Sequence, residues 1–281
     1  MRRVETAHVA VATVAALVAL LAGCGNGQSA DRAERPLLGV EQEIQIGRAA
    51  APHLERLAGG RLENLAVEAY VRTIGERVAR STPRRELPYR FAVLDTADVR
   101  AFALPGGLVY LTRGLLASLK TESQLAAALA HELAHINARQ VVRSLCGKCG
   151  KALLLDAVAA AQLTTAGSDA RRRTETLARL AEAIHEHEYD ADTEAAADRL
   201  GLDYLVAAGY NPSGMVAFLE VPVRSAAPAV PAARTTDSGS RAGRIRRIVE
   251  RKYRGCAGRV ADEEYRGEVL DRLGGLVVPA R

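Results

Sequence analysis

The sequence of 281 residues has no tryptophan and three phenylalanines, although 48% of its residues are hydrophobic. A core built from it must be mostly aliphatic, and the length suffices for one sizeable domain with appendages. The net charge of +5 is small for this length. The chain also lacks a block of basic residues with interleaved aromatics, the pattern typical of nucleic-acid binding, so we predict no nucleic-acid partner.

The first 24 residues have the pattern of a targeting segment. Arg2 and Arg3 form a basic start, and residues 9–21 form an apolar run too short to span a bilayer comfortably. The sequence LAGC that ends at Cys24 resembles the lipobox of bacterial lipoproteins, which implies cleavage before Cys24 and its acylation; an ordinary signal peptide or a short anchor is the alternative. Gly25, rather than aspartate, resembles the default for outer-membrane sorting. We therefore predict an outer-membrane lipoprotein that faces the periplasm and is held to the membrane by its lipid.

Cysteine is scarce in the rest of the chain, where Cys146, Cys149 and Cys256 occur. The C-x-x-C pair has no second pair to complete a zinc knuckle, and Gly150 stands where a c-type haem motif requires histidine. In an oxidising compartment we expect a structural disulfide, either between Cys146 and Cys149 or from one of them to Cys256.

Residues 121–143 predict one amphipathic helix. Thr121 is a good N-cap residue and Gln124 completes a capping box, so the helix has a defined start. Apolar residues recur at helical spacing and define a buried face. They are Leu125, Ala128, Leu129, Leu133 and Ile136.

Three polar residues interrupt this alanine-rich run: His131, Glu132 and His135. The two histidines are one turn apart on the same side of a helix, close enough to share one metal ion. Glu132 lies about 100° round the axis from His131, where it can hold a water instead of ligating. This is the H-E-x-x-H arrangement of zinc peptidases, and a metal would give these buried polar groups a partner.

A third ligand is expected from residues 171–209, an acidic stretch that predicts a long helix or a helix pair. Two frames match E-x-x-A-D, namely Glu188 with Asp192 and Glu194 with Asp198. Six residues of α-helix turn about 600°, so Glu188 and Glu194 point about 120° apart and cannot both face one ion. The spacing alone leaves the choice open.

Several blocks, in order within residues 40–219, resemble the HtpX/BepA/LoiP-type family of gluzincin metallopeptidases, and most strongly its soluble, periplasmic branch. The blocks are ELPYRFAVLDTADVRAFALPGGLVYLTRGLL, LAAALAHELAHINAR and EAAADRLGLDYLVAAGYNP. In that family E-x-x-A-D is followed by R-[IL]-G and A-G-[YF]-[DN]-P, which fits only the second frame. The resemblance therefore implies Glu194 as the third ligand, with Glu188 as runner-up. It also implies that Asp198 accepts the second N–H of His131.

The same resemblance implies an α+β, predominantly helical, zincin-like domain with a small β-sheet beside the H-E-x-x-H helix. One zinc ion per chain would leave a fourth position for a water of lowered pKa, and Glu132 would take the proton of that water. The expected activity is zinc-dependent endoproteolysis of unfolded or misassembled envelope proteins. Its protein or peptide substrates are not specified by the sequence, nor is a partner in an assembly machinery.

The strand that precedes the H-E-x-x-H helix carries a further expectation. Leu108, Val109 and Tyr110 follow a Pro-Gly-Gly turn and have strand character, which locally predicts a hairpin. Because this strand precedes the metal helix, we expect its edge to pair with an extended substrate.

The region after residue 220 departs from the family pattern. Relatives commonly carry T-H-P before an R-[IL] helix start, whereas no histidine follows His187 here. Arg244 matches the arginine, and we expect it near the oxyanion of the reaction. The missing histidine motivates an alternative function, a catalytically weak or latent zinc-binding chaperone or interaction lipoprotein with the same fold.

These patterns divide the chain into five parts. They are a lipoprotein signal peptide (1–23), a tether (24–39), a zinc metallopeptidase domain (40–220), a Pro/Ala/Ser-rich linker or lid (221–243) and a C-terminal helical segment (244–281). Within the domain we also predict helices over 40–57 and 64–80 and a strand over 89–94.

Overall fold

The computed structural model describes residues 37–162, 168–222 and 235–273, without the side chains of 148, 149, 168 and 235–240. Its helices are α1 (Val40–Leu57), α2 (Leu65–Ala79), α3 (Arg113–Ser118), α4 (Glu122–Asn137), α5 (Gln140–Gln162), α6 (Ser168–His185), α7 (Ala191–Ala207), α8 (Ser213–Leu219), α9 (Thr235–Lys252) and α10 (Asp262–Tyr265), which runs into a π-helical turn, Arg266–Leu270. Its strands are β1 (Arg90–Leu94), β2 (Ala101–Leu104) and β3 (Leu108–Thr112). The predominantly helical α+β fold with a small sheet is confirmed.

The N-terminal targeting segment, Cys24 and the first part of the tether lie outside the described residues. Most of the predicted linker, residues 223–234, lies outside them as well. Within the ranges that are described, no helix combines the length and the apolar character needed to cross a membrane.

The three strands form one sheet in the order β1-β3-β2. β3 pairs in parallel with β1 and antiparallel with β2, and all five of its residues are buried. The predicted hairpin is therefore present, as β2 and β3. The expectation that Leu108, Val109 and Tyr110 offer an edge to substrate is wrong, because β3 is hydrogen-bonded on both sides. The strands at the two edges of the sheet are β1 and β2.

Helix α4 lies at the centre of the fold, and all its residues except the last, Asn137, are buried. Its start is as predicted: the Thr121 side chain accepts a hydrogen bond from the backbone N–H of Gln124, and the capping box is complete. Its end is earlier than predicted. Arg139 has a φ of +54°, which breaks the helix, and α5 begins at Gln140.

Close packing brings α7 against α4. A Cβ added at Gly201 would lie 3.0 Å from the backbone nitrogen of His131, a distance that side chains rarely tolerate. Glycine at this position therefore lets the two helices approach until residues one and two turns earlier on α7 reach the histidines of α4.

The C-terminal segment packs onto the domain, and its predicted boundary needs correction. Helix α9 begins at Thr235, inside the stretch 221–243 that was predicted as linker. Further on, Arg259 returns to the start of α4, where its Nε donates to Glu122 over 2.7 Å. The segment after residue 244 is thus an integral part of the fold.

The predicted disulfide is not formed, because Cys146 and Cys256 are both free thiols. Every pairing that was considered includes at least one of these two residues.

Glu122 anchors several elements at the start of α4. Its carboxylate is 1% exposed and accepts hydrogen bonds from Tyr70 (2.5 Å), Tyr210 (2.8 Å) and Arg259 (2.7 Å). Burial would raise the pKa of Glu122, but the hydrogen bonds from Arg259 and the two tyrosines outweigh it and lower the pKa. Glu122 is therefore negatively charged in the folded protein at neutral pH.

We expect Glu122→Gln to lower the free energy of unfolding at neutral pH by about 1.5–3 kcal/mol, because it removes charge-assisted hydrogen bonds. Folding lowers the pKa of this carboxyl, so the carboxyl stabilises the folded state at any pH above its pKa in the unfolded chain. This contribution is lost as the pH falls through the pKa in the folded state. The difference between wild type and variant, measured by urea denaturation, should therefore shrink toward acid pH. An equal difference at pH 7 and pH 3 would contradict this role. Glu63→Gln, at an exposed carboxylate, is the control and should have little effect.

Candidate metal centre

Helices α4 and α7 bring three potential ligands together. One ligand atom from each of His131, His135 and Glu194 lies within 4.8 Å of the others. The Nε2 atoms of the two histidines are 3.1 Å apart, and Nε2 of His131 is 3.3 Å from Oε2 of Glu194. Both histidines are buried, and Glu194 is partly buried at the first turn of α7.

This cluster fits a zinc ion. Two ligands about 2.0–2.1 Å from a tetrahedral zinc lie about 3.4 Å apart, close to the two distances observed. Oε2 of Glu194 is buried yet makes no hydrogen bond, although it lies 2.8 Å from Nη2 of Arg241. A buried carboxylate oxygen without a hydrogen bond is costly, and a cation would satisfy it. Two imidazoles and one carboxylate are also a known catalytic zinc donor set.

Asp198 lies behind His131, one turn after Glu194. Its Oδ1 is 3.1 Å from Nδ1 of His131. Arg241 of α9 holds the same carboxylate through two hydrogen bonds of 2.8 and 2.6 Å. Arg241 thereby holds the Asp198 carboxylate beside Nδ1 of His131, while Nε2 of the same ring lies 3.1 Å from Nε2 of His135 and 3.3 Å from Oε2 of Glu194.

The charges of the cluster favour a cation. Burial would raise the pKa of Glu194, but His131 and Arg241 lower it to about 2. Burial opposes charge on His131, but Asp198 and Glu194 raise its pKa to about 10. Burial and the neighbouring His131 lower the pKa of His135 to about 3. The two carboxylates thus place negative charge beside the imidazole of His131, and a metal ion that binds there must displace the proton of that imidazole.

Glu132 faces the same cavity as the three ligands. The cavity has a volume of about 300 Å³ and is also lined by the edge strand β2 and by Tyr189. Glu132 is 8% exposed, and burial raises its pKa to about 7. A carboxylate with a pKa near neutral pH can both accept and return a proton.

Sequence reasoning missed two neighbours of His135. Nδ1 of His135 lies 2.7 Å from Oε1 of Gln140, and the ring stacks on Tyr189 with centroids 3.9 Å apart. An amide oxygen can only accept, so Nδ1 carries the proton and Nε2 is left to bind metal. Gln140 also donates to the carbonyl of Thr193 over 3.4 Å, next to Glu194. Gln140 therefore contacts the ligand His135 and also the segment that carries the ligand Glu194.

We expect Gln140→Leu to weaken zinc affinity about 10- to 100-fold, because the ring of His135 loses its orienting acceptor. Gln140→Glu keeps an acceptor at this position and should bind zinc within about tenfold of wild type, less than the loss expected for Gln140→Leu. Competition with a chelating dye measures both variants without reference to activity. Equal affinity of wild type and the leucine variant would show that Gln140 does not position His135.

Two residues that were named from the sequence, Arg244 and Glu188, lie outside the ligand cluster. Arg244 lines a separate cavity, and Arg241, one turn earlier on α9, is the arginine that reaches Glu194 and Asp198. Ala242 follows Arg241, so the R-[IL] pattern matches Arg244 alone and gave no sign of Arg241; a place for Arg244 near the oxyanion stays a prediction. Glu188 lines the metal cavity but is not part of the ligand cluster found among the described residues.

Comparisons with known proteins agree with this geometry. A model of peptidase family M48 matches residues 65–254. The chain is 28% identical over 187 residues to the beta-barrel assembly-enhancing protease of Escherichia coli (strain K12), covering 65% of this chain and 38% of that protein. It is 33% identical over 123 residues to the mitochondrial metalloendopeptidase OMA1 of Bos taurus, covering 42% and 23%. It is 26% identical over 133 residues to the metalloprotease YcaL of Escherichia coli (strain K12), covering 47% and 50%. The chain thus spans half or less of the length of these relatives.

Proposed function

The chain belongs to peptidase family M48, and on that premise we propose that it is a zinc-dependent endopeptidase acting on unfolded or misassembled envelope proteins. The observation that carries this proposal is the placement of Glu132 in one cavity with His131, His135 and Glu194. A buried carboxylate of raised pKa beside a metal site is the arrangement that peptide hydrolysis needs.

The roles of the residues follow from their positions. Zinc, when bound, supplies a Lewis acid that polarises a peptide carbonyl and activates a water. Glu132 accepts a proton from the attacking water and returns it to the leaving amine. Asp198 and Gln140 hold the two histidine rings so that their Nε2 atoms face Glu194. Arg241 keeps Glu194 and Asp198 charged.

The edge of the sheet favours an unfolded substrate. β2 pairs with β3 on one side, and its residues line the metal cavity. An extended substrate backbone can add to the open side of β2 through main-chain hydrogen bonds, which requires a segment without structure of its own. The cavity also presents apolar side chains, among them Val99, Phe102 and Phe218. Apolar substrate side chains that would fill it are exposed mainly in unfolded proteins.

We place this activity in the bacterial envelope, at the periplasmic face of the outer membrane. The lipobox that ends at Cys24 supports a lipid anchor, and Gly25 supports the outer membrane. The name of the beta-barrel assembly-enhancing protease, to which the chain is 28% identical, supports a part in the quality control of envelope proteins.

The test compares one outer-membrane β-barrel protein in its unfolded and folded forms as substrate for the zinc-loaded chain. We expect the unfolded form to be cleaved faster, with activity lost on addition of a chelator and restored by zinc. Equal cleavage of both forms would contradict the preference for unfolded substrates. Zinc binding without cleavage of either form would favour the alternative, a latent zinc-binding chaperone or interaction lipoprotein.

A further inference from the structure

A second cavity, of about 200 Å³, is lined by Asp198 but not by the two histidines. Helices α7 and α9 form it, and four of its lining side chains are arginines. They are Arg199, Arg244, Arg247 and Arg251. The proposed peptidase mechanism does not use this cavity.

Three of the four arginines lack, among the described residues, the acids that neighbouring cations have. On α9, Arg246 pairs with Glu220 at 2.5 Å and Lys252 with Asp203 at 2.8 Å. In contrast, Arg199, Arg247 and Arg251 make no ion pair with any residue in the described ranges. The one carboxylate that lines the cavity, Asp198, is already bound twice by Arg241. The cavity therefore has a clear excess of positive charge.

Three of the four arginines lie on one face of helix α9, which concentrates the positive charge there. Residues 244, 247 and 251 are three and four positions apart on α9, so their side chains project on the same side of the helix. Like charges at this spacing destabilise a helix, and Arg199 of α7 adds a further cation opposite them. An anion bound between the helices would offset this repulsion.

We propose that this cavity binds a phosphate group. Guanidinium groups present their N–H donors as a planar fork that matches phosphate oxygens, which makes arginine well suited to phosphate. The group belongs either to a soluble phosphate compound or to the headgroup of an anionic phospholipid. The proposal is independent of peptide hydrolysis, since neither zinc nor Glu132 takes part.

The test measures binding of inorganic phosphate to the full chain by calorimetry at physiological salt. The double variant Arg199→Gln/Arg247→Gln should bind at least about tenfold more weakly, because each substitution removes charge-assisted hydrogen bonds. Both side chains are exposed, and circular dichroism checks that the variant folds. The matched control, Arg48→Gln/Arg72→Gln, removes the same charge elsewhere on the exposed surface and should bind as wild type does. Absence of phosphate binding by wild type, or equal weakening in both double variants, would overturn the proposal.

Vesicles distinguish the two sources of the phosphate group. Binding to phosphatidylglycerol vesicles above the level seen with phosphatidylcholine, reduced in Arg199→Gln/Arg247→Gln and competed by inorganic phosphate, identifies a lipid headgroup. Phosphate binding without this difference between the two vesicles identifies a soluble phosphate compound. The phosphatidylcholine arm accounts for any attachment through the N-terminal segment.

Discussion

Glu132→Gln should lower kcat for peptide hydrolysis by about 10²- to 10⁴-fold, the usual contribution of a general base. Glutamine has nearly the shape of glutamate but cannot take the proton of the attacking water. Glu132 is not part of the ligand cluster, so the variant should keep its metal. Cleavage of an unfolded protein, with zinc content measured on the same sample, checks both expectations.

The two measurements separate the outcomes for Glu132. Loss of cleavage with zinc retained would identify Glu132 as the base. Activity close to wild type in a zinc-loaded variant would contradict the mechanism, because the base would then lie elsewhere. Loss of zinc would place Glu132 among the ligands, against the geometry of the cavity.

Glu194→Gln should weaken zinc affinity by more than about 100-fold, beyond the loss expected for a residue that only orients a ligand. Cleavage should fall with the zinc content. Zinc bound to the folded state stabilises it, so wild type should melt at a higher temperature with zinc, and the variant should lose this increase. Thermal melting with and without zinc measures this effect.

Glu188→Gln is the matched control, because it makes the same substitution at the other residue considered as third ligand. Glu188 lines the same cavity but lies outside the ligand cluster. The control should bind zinc as wild type does. A control that loses zinc while Glu194→Gln keeps it would reverse the assignment of the third ligand.

Local spacing was enough to predict the ligands that are close in sequence, whereas the distant Glu194 was predicted only through the family resemblance. His131, Glu132 and His135 lie on one helix, whose start was fixed by the local capping box. The argument that Glu188 and Glu194 cannot both face one ion assumed one continuous helix. In the structure α7 begins at Ala191 with Asp190 as its N-cap, so Glu188 precedes the helix and the angular argument does not apply to it.

Contacts made across helix ends gave no signal in the sequence. Gln140 reaches His135 only because the chain breaks at Arg139 and starts a new helix. Arg241 comes from α9, more than forty residues after the ligand cluster's last member. The pairing order of strands is also a tertiary property, although the continuous apolar run of β3 is consistent with a central strand.

The most direct test of the account is the metal content of the purified full chain, measured by mass spectrometry of the elements. The account predicts one zinc ion per chain in wild type and loss of that zinc in His131→Ala/His135→Ala. Zinc absent from wild type after equilibration with the metal, or retained in full by the double variant, would contradict the site proposed for His131, His135 and Glu194.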